Sequence, residues 1–140
     1  MRIVVCAKLV PDPEGPPSAF HIDSEAKAVI PVGIPPVINP FDENALEAAL
    51  RIKDQCDSAR VTVMSVGAGI SKSVLMKALA AGADELILLD DERFADLDSY
   101  STAYVLSAAI RKLGNCELVF TAVSYTHLRA HETRHDLVCR

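Results

Sequence analysis

The chain has 140 residues, 50% of them hydrophobic and 5% aromatic, with no Trp and a net charge of −5. That suffices for one domain with a core of Val, Ile, Leu and Ala, a mixture suited to helices layered on a buried sheet and not to a β-sandwich. The acidic balance argues against nucleic acid as a partner, since phosphate binding needs a basic face, and no apolar run reaches the roughly 18 residues that span a bilayer.

Met1-Arg2 leads directly into a strand-like run with none of the regions of a signal peptide, so a cytoplasmic location is expected. Residues 3–10 (IVVCAKLV) form a nearly continuous β-branched run, the mark of a strand buried on both faces. Pro11-Asp12-Pro13 ends it. Residues 11–37 then carry seven of the eight prolines, with short β-prone pieces around His21-Ile22 and Ala28-Val29-Ile30. This reads as an ordered loop holding a small hairpin, and a loop of such length in a compact domain is more often functional than idle.

The pattern changes abruptly at Ile38-Asn39-Pro40-Phe41-Asp42-Glu43. Asn39 suits an N-cap, Pro40 the first helical position, and Asp42 the positive end of the helix dipole. Two readings stand: a well-made helix start, or such a start forming one wall of a ligand cleft. The helix runs from Asn39 to about Gln55, with Ala45, Leu46, Ala49, Leu50 and Lys53 on one stripe. Residues 60–66 (RVTVMSV) are the second strand. Gly67-Ala68-Gly69 turns into a helix with Leu75, Met76 and Leu79 inward, stopped by Gly82. Residues 85–89 (ELILL) form the third strand, followed by Asp90-Asp91-Glu92. A third helix, 99–113, is expected to bury Val105, Leu106, Ala109 and Ile110, and residues 117–122 (ELVFTA) form the fourth strand. Alternation of strand and helix with short turns means an α/β fold, a parallel sheet wrapped by helices.

After Ala122 the character changes. His127, His131, His135 and Cys139 stand four residues apart, a spacing that tempts a zinc reading. Four ligands spread over three turns of a straight helix cannot reach one ion, so no metal site is expected. The run VSYTHLRAHET, ending in LVCR, resembles instead the translation of a transposase-type sequencing adapter. Residues 123–140 are therefore expected to be a non-native or disordered tail, and 1–122 an incomplete domain.

Other candidates carry two readings each. Ser65 to Gly69 opens a helix with free backbone N–H groups that suit an anion, but lacks the spacing of GxGxxG or a P-loop; it is a tight turn or a cleft wall. Lys8 is a ligand-edge residue or a solvated lysine. Asp90, Asp91 and Glu92 are a solvated loop more readily than a metal cluster. Cys6 fits a small core filler better than a nucleophile. The four cysteines show no CxxC spacing and read as reduced thiols. No His, Ser or Cys is spaced as a triad.

Four stretches in order, RIVVCAKLVPD, INPFDENALEAALRIKD, VTVMSVG and KALAAGADELILL, together resemble the β subunit of electron transfer flavoprotein, including FixA-type bacterial members. The resemblance covers residues 1 to about 122, roughly the N-terminal half of that subunit. It implies a three-layer, Rossmann-like, adenine-nucleotide-α-hydrolase-like fold in a bacterial, cytoplasmic electron carrier with no catalytic site of its own. It further implies pairing with an α subunit. The heterodimer holds one FAD mostly on α, while β binds AMP, or a second FAD in bifurcating types. Electrons pass from acyl-CoA or other dehydrogenases to a quinone reductase or another acceptor. Carried over by motif, the cleft would use Cys6, Asn39, Pro40, Phe41, Asp42 and Val66, several through the backbone. In that family the fourth strand leads into a Gly-rich, Asp-containing loop that grips the phosphates; here the adapter-like run stands in its place. The 140-residue chain alone is therefore expected to bind nucleotide poorly, which micromolar binding of AMP or FAD would refute. The competing reading is a stand-alone adenine-nucleotide module of universal-stress type, which needs a phosphate-binding Gly loop after the fourth strand.

Overall fold

The computed structural model describes residues 1–25 and 28–122, with Ala28 described by its backbone alone. Eight strands and three α-helices are built from them: β1 (Arg2–Cys6), β2 (Leu9–Pro11), β3 (Phe20–Asp23), β4 (Ala28–Pro31), β5 (Pro36–Ile38), α1 (Pro40–Gln55), β6 (Arg60–Gly67), α2 (Lys72–Ala81), β7 (Glu85–Asp90), α3 (Ser99–Leu113) and β8 (Leu118–Phe120). The expected parallel sheet is present, in the order β7-β6-β1-β8.

Alternation along the strands divides the core between two faces. Ile3 and Val5 of β1, with Val61 and Val63 of β6, pack with Leu46 and Ala49 of α1 and Leu75 and Ala78 of α2. The intervening Val4, Thr62 and Met64 point to the opposite face and are also fully buried. Helix α3, which contacts β6, covers that second face. Helices thus lie on both sides, as the β-branched strands required: a side chain buried on either face of β1 gains about 1.5–3 kcal/mol from leaving water. The chain moves outward from β1 through β6 to β7, then returns by α3 to β8 on the other side of β1. That reversal creates a switch point between β1 and β8 at the C-terminal edge of the sheet, where ligands of open α/β sheets bind.

Several expectations need correction. The run 3–10 is not one strand: β1 stops at Cys6, and Leu9–Pro11 leaves the sheet to pair antiparallel with Pro36–Ile38. The cause is a side chain, since the Lys8 N–H donates to Asp42 and not to a neighbouring strand. Met76 is 50% exposed, and the inward face of α2 is Leu75 with Ala78. Val105, Leu106, Ala109 and Ile110 of α3 are half-buried, none fully, because among the described residues α3 is the single α-helix on its face. The fourth strand is shorter than 117–122, and Glu117 serves instead to take the Arg2 N–H on its carboxylate at 2.6 Å. The small hairpin expected in the Pro-rich loop is β3–β4. Cys6, Cys56 and Cys116 are free thiols, as expected. The tail, with the spaced His127, His131, His135 and Cys139, lies outside the described residues.

Candidate functional site

The switch point is built around the start of α1. Asn39 caps the helix: its Oδ1 accepts the Phe41 N–H at 3.2 Å, and its carbonyl accepts from Asp42 and Glu43 at 2.8 and 3.0 Å. Pro40 occupies the first helical position, where no N–H is needed. Two further bonds tie this cap to the end of β1. The Asn39 N–H donates to the Lys8 carbonyl at 2.9 Å, and the Lys8 N–H donates to Asp42 Oδ2 at 2.8 Å. Strand end and helix start are therefore fixed against each other through both backbone groups of Lys8, whose side chain lies in solvent.

Asp42 is 6% exposed although it carries a carboxylate. Desolvation raises its pKa above the ordinary Asp range, opposed by the Lys8 N–H, by Asn39 and by the Lys8 charge. Cys6, half-buried at the end of β1 beside Met64, is pushed up to about 11 by burial and by the nearby charge of Asp42. A thiol so raised is neutral near pH 7, which fits a packing role and removes it as a nucleophile or thiolate ligand. Phe41 is 53% exposed at the helix start, and Val66 is half-buried near the end of β6, in register with Leu89. The six sequence-predicted residues thus gather at one sheet edge: Asn39, Pro40, Phe41 and Asp42 in one bonded turn, Cys6 just before it, and Val66 on the neighbouring strand.

Of the two readings of the glycine turn after β6, the structure fits the tight turn, its N–H groups already occupied. Its anion is the protein's own: Asp90, in register with Gly67, accepts the Gly69 N–H at 2.8 Å and the Ile70 N–H at 3.2 Å. Gly69 has φ +64°, where a side chain is strained, so a glycine serves here. Asp91 is equally engaged, taking Arg93 Nε and Nη2 at 2.8 Å each, and its carboxyl is held well below the usual range by that guanidinium. Among the described residues no group of His, Cys, Asp and Glu is arranged to hold a metal ion. Sequence reasoning missed the role of Asp90; the signal was its place at the end of a strand opposite a glycine turn.

The backbone N–H groups of Ala7, Lys8, Asn39, Phe41, Asp42 and Glu43 are all taken within the protein, which makes this edge a rigid, pre-formed wall carrying one buried carboxylate and a neutral thiol. An open groove of about 610 Å³ lies elsewhere, between α2 and the edge strand β7, lined by Met76, Leu79, Leu86 and Leu88 with Lys72, Asp84 and Glu85 at its rim. It is far from the switch point, and the bonded turn of α1 is the better candidate because it brings polar groups together.

The family described as "Electron transfer flavoprotein domain" matches residues 28–130. The chain is 43% identical over 113 residues to the electron transfer flavoprotein subunit beta of Megasphaera elsdenii, covering 81% of this chain and 40% of the relative. It is 43% identical over 119 residues to the caffeyl-CoA reductase-Etf complex subunit CarD of Acetobacterium woodii (85% and 44%). With protein FixA of Azorhizobium caulinodans the identity is 40% over 125 residues (86% and 43%). The chain spans about two-fifths of the length of these relatives. By fold and by sequence, the chain belongs to the electron transfer flavoprotein family, alongside its β subunits and FixA proteins.

Proposed function

We propose that this chain serves in a heterodimeric electron transfer flavoprotein as part of the β subunit, with its switch-point cleft holding AMP, or a second FAD in a bifurcating type. The α subunit then carries most of the FAD, and electrons pass from acyl-CoA or other dehydrogenases through the flavin to a quinone reductase or another acceptor. The protein acts as a carrier, with no catalytic site of its own on this subunit.

The observation that supports this reading is the tie between Lys8, Asn39 and Asp42. It makes the edge of β1 and the first turn of α1 one rigid wall at the switch point, where ligands of open α/β sheets bind. The wall suits the nucleoside end and repels the phosphates: Asp42 and Glu43 stand in the first turn of α1, and Asp90 already fills the N–H groups of the β6–α2 turn. The phosphates then need a loop after the fourth strand, where the resemblance implies a Gly-rich, Asp-containing run and this chain carries residues 123–140. In this assignment Cys6 and Val66 shape the cleft, and Asn39, Pro40, Phe41 and Asp42 form its wall.

Calorimetric titration of AMP and FAD into the full-length protein with its α subunit tests the reading. One nucleotide per β chain is expected, weakened at least about tenfold when Val66→Trp narrows the cleft, the scale of a lost well-packed contact. Absence of stoichiometric AMP or FAD on the β chain would refute it.

A further inference from the structure

Lys8 gives the wall both of its backbone groups and leaves its side chain unused. Its N–H and carbonyl are bonded to Asp42 and Asn39, the Ala7 N–H before it donates to the Met64 carbonyl, and Leu9 after it pairs with Ile38. The backbone is thus held on both sides of Lys8 while the side chain stands in solvent. An exposed lysine is ordinary by itself. Three observations set this one apart. Its ammonium is unclaimed: the ion pairs among the described residues belong to Arg51, Lys53 and Arg93, and Lys8 is in none of them. Its surroundings carry the opposite sign, since Asp42 and Glu43 occupy the first turn of α1 and Asp90 ends β7, and the charge of Lys8 is felt at the buried Asp42 carboxylate. The third observation is register. Val5 stands opposite Phe120, so Thr121 and Ala122 leave β8 beside Cys6 and Ala7, and Lys8 is the next residue on that edge. The chain after Ala122 is where the proposed function needs its phosphate loop.

We infer that Lys8 is a specificity-determining residue of the cleft, whose ammonium takes the 5′-phosphate of the adenine nucleotide from the β1 side. The inference rests on the function proposed above, and AMP and FAD share this group. Lysine suits the task as a compact point charge with three donors on a flexible stem, and a phosphate accepts such a donor more strongly than a neutral group does. Fixing the backbone at Lys8 before the ligand arrives lowers the cost of ordering the side chain on binding. A phosphate near this wall faces the carboxylates of Asp42 and Glu43, and Lys8 offsets them at the point where the chain leaves β8. The wall then prefers a phosphorylated nucleoside to the bare one. Because the tie to Asn39 and Asp42 runs through the backbone of Lys8, replacing the side chain removes the ammonium and keeps the wall.

The test is calorimetric titration of AMP, FAD and adenosine into the full-length protein with its α subunit, as wild type and as Lys8→Met. Whichever of AMP and FAD the wild type takes is expected to bind the variant at least about tenfold more weakly, the scale of one hydrogen bond to a charged group. Adenosine, which has no phosphate, is expected to bind both alike, and the melting temperature of the variant without ligand is expected to match wild type. Lys72→Met, which removes the same charge at the start of α2, is expected to bind all three as wild type does. A Lys8→Met protein that keeps the wild-type affinity for AMP and FAD, or that loses adenosine in equal measure, would overturn the inference and leave the proposed function standing. So would an equal loss in Lys72→Met, which would make the effect one of overall charge. A wild-type protein that takes neither AMP nor FAD on the β chain would remove both.

Discussion

Replacing Asp42 separates two opposing effects at the site. Its carboxylate accepts the Lys8 N–H at 2.8 Å while only 6% exposed. Asp42→Ala leaves that backbone donor without its partner, and a hydrogen bond to a charged group is worth about 1.5–3 kcal/mol. Against this, removal of a buried charge is a gain, and loss of a favourable first-turn charge costs about 0.3–1 kcal/mol. We expect a net destabilisation of about 2 kcal/mol, a fall in Tm of roughly 5–10 °C for a domain of this size. Asp42→Asn keeps an oxygen for Lys8 and discards the charge. Because desolvation raises the folded pKa of Asp42, its stabilising contribution is present below the unfolded value of about 3.9 and is lost as pH rises through the native pKa. At pH 7 the Asn variant should therefore match or exceed wild type, and wild type should gain on it as pH falls from neutral toward about 3.9. Urea unfolding followed by circular dichroism across that range reads both effects. An Ala variant within about 0.5 kcal/mol of wild type, or an Asn variant as damaged as the Ala variant, would refute the assignment of the Lys8–Asp42 bond as the tie.

Asp84 should show the opposite pH dependence. Although desolvation raises its pKa, the bonds from Lys53 Nζ at 2.7 Å and the Val61 N–H at 2.8 Å hold it below the ordinary value. A lowered folded pKa gives stability that is present above the unfolded value and lost as pH falls through the folded one. Asp84→Ala should thus destabilise by roughly 1–2 kcal/mol at pH 7, discounted because the pair is partly exposed, and by progressively less in acid unfolding series. Among the thiols, a bond with Ser58 lowers the pKa of Cys56, whereas Cys6 is pushed up to about 11. Iodoacetamide followed by peptide mass spectrometry should label Cys56 before Cys6 in native protein; the reverse order would contradict both environments.

The fold was legible because its determinants are local. The β-branched runs of β1 and β6 can be satisfied only by cover on both faces, and Asn39-Pro40 with Asp42 writes a helix start in three residues. The start of α1 followed from the cap at Asn39, whereas the cap of α3, Asp98 accepting the Ser101 N–H, emerged only in the structure. The candidate site was half legible. The family resemblance pointed to the residues, and the turn around Asn39 could be read, but not its bonds to Lys8, which depend on a residue 34 positions from Asp42.

What the sequence determined by itself was periodicity, caps and charge: hence strands buried on two faces, the start of α1 and an acidic surface. The tertiary structure alone decided three things. It broke the run 3–10 at Lys8 by offering that N–H a carboxylate, filled the glycine turn with Asp90, and left Ile22, Val29, Ile30 and Val32 bare. Each depends on which distant group arrives in register with a local one, and a backbone donor or an apolar side chain carries no mark in the sequence of what will meet it.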